Sequence, residues 1–376
     1  MTIKGPAGRN RPYSSVLLAQ RTVGRPKRQT QQYLLALSPV SVYTRKHGLT
    51  IHTTKGRLTM KLTLATMLLV APLAALHAAD TPRSADKPNL IFINIDDLGY
   101  ADIGPFGSTL NRTPHLDRMA KEGRKLTSFY AAPVCSPSRS ALMTGCYPKR
   151  VLPIPGVLFP AGAVGLNPQE RTVAEVLKDA GYRTACIGKW HLGDQPEFLP
   201  TAQGFDYYLG IPYSNDMGTA AEGSKSDLGA PLPQAKPAGS AAATKVAQGD
   251  DETGLKGLGQ PPLPLVENDK VIARVKQDEQ QAIVETYTTA AVKFIQANQD
   301  RPFFLYLPHS AVHFPLYPGK AWAGKSGRGL YSEWVEEVDG STGRILETLR
   351  ELRIEGNTLV IFTSDNGPWL SKGADG

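Results

Sequence analysis

Four short apolar runs, none with a helical period, are each followed at once by a polar cluster. Asn89–Ile95 runs into Asp96-Asp97, and Arg183–Ile187 into Gly188-Lys189-Trp190-His191. Phe303–Leu307 leads to His309 and His313, and Leu359–Thr363 to Asp365-Asn366. Runs of this length and composition fit strands buried on both faces. Helical patterns lie between them. Thr113-Pro114 opens one, with Thr113 as the cap and the proline in the first turn, and Gly123 stops it. Others are expected over 138–144, 171–180, 279–298 and 332–353, the last weakened by Gly340 and Gly343. Alternating strands and helices predict an α/β fold: a mostly parallel sheet with helices on both faces. In such folds ligands bind beyond the carboxyl ends of the strands, where these polar clusters fall.

The formal charge of +8 points at first to a nucleic-acid or membrane binder. Its distribution removes that reading. Residues 1–60 hold 11 Lys or Arg and no Asp or Glu, which leaves 31 basic against 34 acidic residues after them. No nucleic-acid partner is expected. Met60-Lys61, the apolar run Leu62–Leu76 and His77-Ala78-Ala79 have the charged, apolar and small-residue regions of a signal peptide over 60–79. Cleavage near Ala78 or Ala79 would release the chain to the periplasm or outside the cell. The apolar run is short for a membrane span, and no cysteine stands near it, so no stable membrane anchor is expected. Residues 1–59 then read as an over-extended reading frame or a disordered basic tail. The folded domain is expected over 86–376, interrupted at 219–263 by a loop insertion rich in Ala, Gly, Pro, Lys and Ser. Cys146 and Cys186 are open to pairing in an oxidising compartment.

Asp96 and Asp97 repel each other, and either a solvated turn or a hard divalent cation such as calcium or magnesium answers that. Asp365 and Asn366 offer further oxygen ligands from a second strand end. Cys135-Ser136-Pro137-Ser138-Arg139 precedes an apolar helical stretch and Thr144-Gly145. A guanidinium beside a thiol favours charged chemistry, since it forks onto oxyanions.

The Cys135 run resembles the signature of type I sulfatases. Asn94-x-Asp96-Asp97-Leu98-Gly99, Gly188-Lys189-Trp190-His191-Leu192-Gly193, His309–Pro315 and Thr363-Ser364-Asp365-Asn366-Gly367-Pro368 occur in that family's order. Gly204-Phe205-Asp206 and Gly210–Asp216 are most similar to the branch of arylsulfatase A and N-acetylgalactosamine-6-sulfatase. The resemblance implies an alkaline-phosphatase-like α/β fold and hydrolysis of sulfate esters of small molecules or glycans. It implies a Ca2+ ion on Asp96, Asp97, Asp365 and Asn366, touched also by Cys135. It implies that a formylglycine-generating enzyme converts Cys135 to formylglycine, whose hydrate is the nucleophile. Arg139 would steady that group, Lys189 and His191 would hold the sulfate and the hydroxyl, and Ser214 would add a polar sulfate contact. His313, with His309 as its substitute, would serve the leaving oxygen. A phosphonate or phosphate ester hydrolase of the same superfamily shares the cysteine and metal pattern. The family's later Gly-Lys motif and small C-terminal domain are absent before Gly376, so a truncated chain is expected, in the limit an inactive fragment.

Overall fold

In a computed structural model the protein is described over residues 17–21, 87–154, 156–160, 163–217, 263–276 and 278–369. The strands are β1 (Leu17–Arg21), β2 (Asn89–Ile95), β3 (Arg124–Leu126), β4 (Arg183–Ile187), β5 (Tyr207–Gly210), β6 (Leu263–Glu267), β7 (Lys270–Val275), β8 (Phe303–His309) and β9 (Thr358–Ser364). They form one sheet in the order β3-β1-β9-β2-β8-β4-β5-β6-β7. From β9 to β5 neighbours are parallel, and antiparallel pairs close both ends. The mostly parallel α/β expectation therefore holds. The antiparallel β6–β7 hairpin lacks an expectation of its own, and Leu263 belongs to its first strand rather than to an insertion.

The longer helices are α1 (Pro114–Glu122), α2 (Cys135–Thr144), α3 (Val173–Asp179), α4 (Ile283–Ala297) and α5 (Leu330–Glu351). Alternation along β2 divides the core. Ile91, Ile93 and Ile95 join the layer with α1, α4 and α5, through Leu116, Tyr287 and Trp334. Leu90 and Phe92 face a second layer containing Met143 of α2, Trp190 and Phe205. The central strand β8 is buried at every residue.

Three local expectations are refined. Thr113 occupies the cap position of α1, but its hydroxyl accepts from Gly104 N at 2.8 Å instead. Asp339 of α5 does the capping, accepting from His115 N at 3.2 Å and Leu116 N at 2.8 Å. A carboxylate suits these orphan N–H groups and the positive helix end. Gly340 and Gly343 do not break α5. A Cβ at Gly340 would lie 2.8 Å from the Trp322 ring, and one at Gly343 2.6 Å from the His115 ring. Both are close approaches that need a bare backbone. Third, α2 begins at Cys135, three residues ahead of the expected start. Pro137 is tolerated because first-turn N–H groups have no partner within the helix.

Within residues 1–59, where a disordered tail is expected, Leu17–Arg21 pairs antiparallel with β9 from Leu17 against Thr363 to Arg21 against Leu359. The signal-peptide reading of 60–79 and the insertion over 219–262 lie outside the described residues. All three cysteines are free thiols, so Cys146 and Cys186 are not joined. No helix among the described residues is long and apolar enough to cross a membrane.

Candidate active site

Register brings the acidic strings together. Ile95 of β2 stands opposite Ser364 of β9 on one side and His309 of β8 on the other. The next residues are Asp96, Asp365 and Ser310, which leave the sheet side by side. Backbone bonds clip these exits: Asp365 N donates to Ile95 O at 3.0 Å, Asp96 N to Ala311 O at 2.9 Å, and Val312 N to Asp96 O at 2.8 Å. Asp97 takes a left-handed backbone, φ 56°. Its side chain turns into the cluster, where Asn366 Nδ2 donates to Asp97 Oδ1 at 2.7 Å.

The first turn of α2 lies over this corner. Cys135 Sγ donates to Asp96 Oδ1 at 3.1 Å. Arg139, one turn on, is wholly buried, and each of its three guanidinium nitrogens donates. Nε and Nη2 donate to Asp365 Oδ2 at 3.1 and 2.9 Å, Nη2 to Asp96 Oδ1 at 3.3 Å, and Nη1 to Lys189 O at 2.6 Å. Lys189 arrives from the end of β4. Its Nζ pairs with Asp96 Oδ2 and lies 3.5 Å from Cys135 Sγ. Gly188 makes this turn possible. Its φ is 137°, and a Cβ there would sit 1.9 Å from the Pro308 carbonyl oxygen.

The histidines separate. His313 Nε2 lies 3.6 Å from Asp97 Oδ2, and its Nδ1 meets the Phe314 carbonyl. Burial disfavours its charge, but Asp97 and Asp96 outweigh that and raise its pKa. His191 is the opposite case: burial, with Lys189 and Arg139, holds its pKa well below normal, so the ring is neutral. Its Nε2 is 2.9 Å from Leu158 O. A carbonyl only accepts, so Nε2 carries the proton and Nδ1, which has no partner among the described residues, presents a lone pair. His309 is not part of the site. It packs against Tyr287 of α4 and bonds Ser341 of α5 at 3.3 Å, and burial lowers its pKa to about 3. Its expected role as a substitute for His313 is thereby removed, because the alternation of β8 turns it to the helical layer. Ser214 is buried, and its hydroxyl has no partner among the described residues. Its neighbour Asn215 ties this loop to the His313 segment, donating to His313 O at 3.4 Å and Pro315 O at 3.0 Å.

Four ligand atoms, one each from Asp96, Asp97, Cys135 and Asp365, lie within 4.8 Å of one another. Burial and the neighbouring Asp96 push Asp365 up to about 7, and burial likewise raises Asp97. Asp96 is held far below the carboxylate range despite burial, by Lys189, His313 and Arg139. Asn366 Oδ1 is buried without a partner among the described residues. Crowded carboxylates, plus an orphaned amide oxygen, form an oxygen-rich donor set that fits a hard divalent cation. The Cys135 thiol, raised by burial and by Asp96, is no thiolate nucleophile as it stands.

Two aromatic side chains, one at this site and one on the loop that meets His191, have no expectation from sequence. Trp369, past the Asp365 string, places its ring 5.4 Å from that of His313 and 6.2 Å from that of Phe314. Phe159 stands exposed beside Leu158, the partner of His191. Nothing in one sequence marks them, since isolated aromatics after a strand or in a loop have no fixed spacing to a motif.

A family model described as Sulfatase matches residues 88–375. Human arylsulfatase A is 40% identical over 290 residues, covering 76% of this chain and 53% of that protein. N-acetylgalactosamine-6-sulfatase from Canis lupus familiaris is 35% identical over 321 residues, covering 81% and 54%. Among solved structures, the PsFucS1 sulfatase from Pseudoalteromonas sp. superposes with a TM-score of 0.64 at 30% identity, over 82% of this chain and 60% of that one. The chain spans about half the length of the curated relatives it matches.

Proposed function

The chain belongs to the sulfatase family, and on that premise we propose that its site hydrolyses sulfate esters, using Cys135 in a modified form. The observation that carries this is the convergence of Asp96, Asp97, Asp365 and Cys135 in one buried cluster bordered by Lys189 and Arg139. Asp96, Asp97, Asp365 and Asn366 would hold Ca2+, with Cys135 beside it; that ion would supply Lewis-acid charge neutralisation to a sulfate oxygen. Conversion of Cys135 by a formylglycine-generating enzyme would supply a hydrated aldehyde, whose hydroxyl is a far better nucleophile here than a thiol held protonated.

The chain's own residues then divide the work. Lys189 Nζ stands beside the Cys135 side chain and stabilises negative charge there. Arg139 spends its donors on Asp96, Asp365 and the Lys189 carbonyl, so it positions those groups rather than gripping sulfate. His313, whose pKa Asp97 and Asp96 raise, donates a proton to the leaving alcohol oxygen. His191 accepts a proton at Nδ1. Ser214 offers its free hydroxyl to a sulfate oxygen.

Names of relatives such as arylsulfatase A and N-acetylgalactosamine-6-sulfatase support a sulfated small molecule or glycan as substrate. The signal-peptide pattern over 60–79 supports secretion or a periplasmic location. The test is co-expression with a formylglycine-generating enzyme, peptide mass spectrometry at Cys135, and turnover of an aryl sulfate beside the matching aryl phosphate. Conversion with faster sulfate turnover is expected, abolished in Cys135→Ala. Faster phosphate turnover would favour the phosphatase-type alternative. Conversion without turnover of either would leave an inactive member of the family.

A further inference from the structure

The buried charged cluster described above has an aromatic side chain beside it. Trp369 sits at the end of the loop that carries Asp365 and Asn366, half-buried, with its ring against the His313 ring at 42° and edge-on to Phe314 at 82°. His313 Nδ1 meets the Phe314 carbonyl, and Nε2 faces Asp97 Oδ2 at 3.6 Å, beyond hydrogen-bond reach and open to a donor role. The indole packs at a tilt against the imidazole ring. Trp369 cannot act in proton transfer, since its only polar group is an N–H donor. Its backbone is held close to the first strand exit as well, because a Cβ at Gly99 would lie 3.4 Å from Cβ of Pro368.

A large, partly exposed indole fixed beside the proton donor for the leaving oxygen offers a broad apolar face to the organic part of an ester. We propose that Trp369 is the platform for the leaving group, so that the site prefers sulfate esters of ring-bearing alcohols. The shared chemistry is a ring with an apolar face, either an aryl ring stacking on the indole or a pyranose laying its C–H face on it. This inference rests on the sulfate-ester reading of the site and adds to it the residue that meets the leaving group. It also assigns Trp369 a specificity role distinct from that of a residue that only steadies His313.

Binding separates these possibilities without any turnover. The full chain, with calcium present, is titrated calorimetrically with inorganic sulfate, methanesulfonate, p-toluenesulfonate and a hexose 6-sulfate. The wild type is expected to bind at least one ring ligand several-fold more tightly than methanesulfonate, and which one identifies the source of the ring. Trp369→Ala should weaken that ligand by roughly three- to tenfold, the worth of one aromatic contact. It should leave sulfate and methanesulfonate unchanged. Trp369→Phe should restore most of the loss, and the exposed Tyr147→Ala should change nothing. Equal weakening of all four ligands in Trp369→Ala, or no ring preference in the wild type, would overturn the platform while leaving the sulfate-ester reading intact. Failure of the folded wild type to bind any of the four would overturn both.

Discussion

Arg139→Ala is expected to damage the fold before it damages chemistry. The guanidinium is wholly buried and makes four hydrogen bonds, three of them to the carboxylates of Asp96 and Asp365. Its removal leaves three crowded carboxylates facing Lys189 and His313 alone. Truncating one partner of a buried, hydrogen-bonded pair costs about 3–5 kcal/mol, because the remaining charge stays desolvated. At about 2–4 °C per kcal/mol for a domain of this size, melting should fall by roughly 10 °C. Arg139→Lys keeps the charge but not the fork, and should lose less. The assay is urea denaturation and thermal melting of calcium-stripped protein, repeated with calcium. Calcium should rescue Arg139→Ala more than it stabilises the wild type, since the ion and the guanidinium neutralise the same oxygens. A loss under about 1 kcal/mol in stripped protein would refute the reasoning, because no buried pair of this kind is so weak.

Saturating calcium, at about a hundredfold over its Kd, should stabilise the wild type by about 2.7 kcal/mol; Asp97→Asn and Asp365→Asn should lose this gain in melting experiments, whereas Asp339→Asn should keep it. Burial raises two acids away from the site, Glu337 to about 8 and Asp339 to about 7. The unfolded chain releases these protons near pH 4 and the native state only near 7 to 8, so stability should fall as pH rises through that window. Glu337→Gln, which keeps an acceptor for Gly319 N, should flatten the fall in urea midpoints between pH 5 and 8.5, and an unchanged slope would count against burial as the cause. Gly188→Ala should cost about 3 kcal/mol or more in chemical denaturation, since its Cβ meets the backbone oxygen of Pro308 and the φ of 137° is strained for any side chain.

The four apolar runs were legible because parallel strands buried on both faces must be almost continuously apolar. β2 and β4 match their expected bounds, and β8 and β9 differ from theirs only at the ends. The polar strings were legible for the same reason: a buried strand can release charged residues only where it leaves the sheet. Asp96, Asp97, Cys135, Arg139, Lys189, His313, Asp365 and Asn366 were all named from sequence, and the fold brings them to one corner. Their partners were not legible. Whether His309 or His313 enters the site depends on which layer each exit of β8 faces. The neutral tautomer of His191 depends on a carbonyl, that of Leu158, donated by a loop with no pattern of its own. The cap on α1 comes from Asp339, more than two hundred residues downstream, which no local rule for Thr113-Pro114 can find. Local sequence thus determined which segments become strands and which residues carry charge at their ends, because burial and backbone hydrogen bonding act along the chain. Only the tertiary structure decided which of those charges meet, because desolvation and Coulomb attraction act through space and take their values from register and packing.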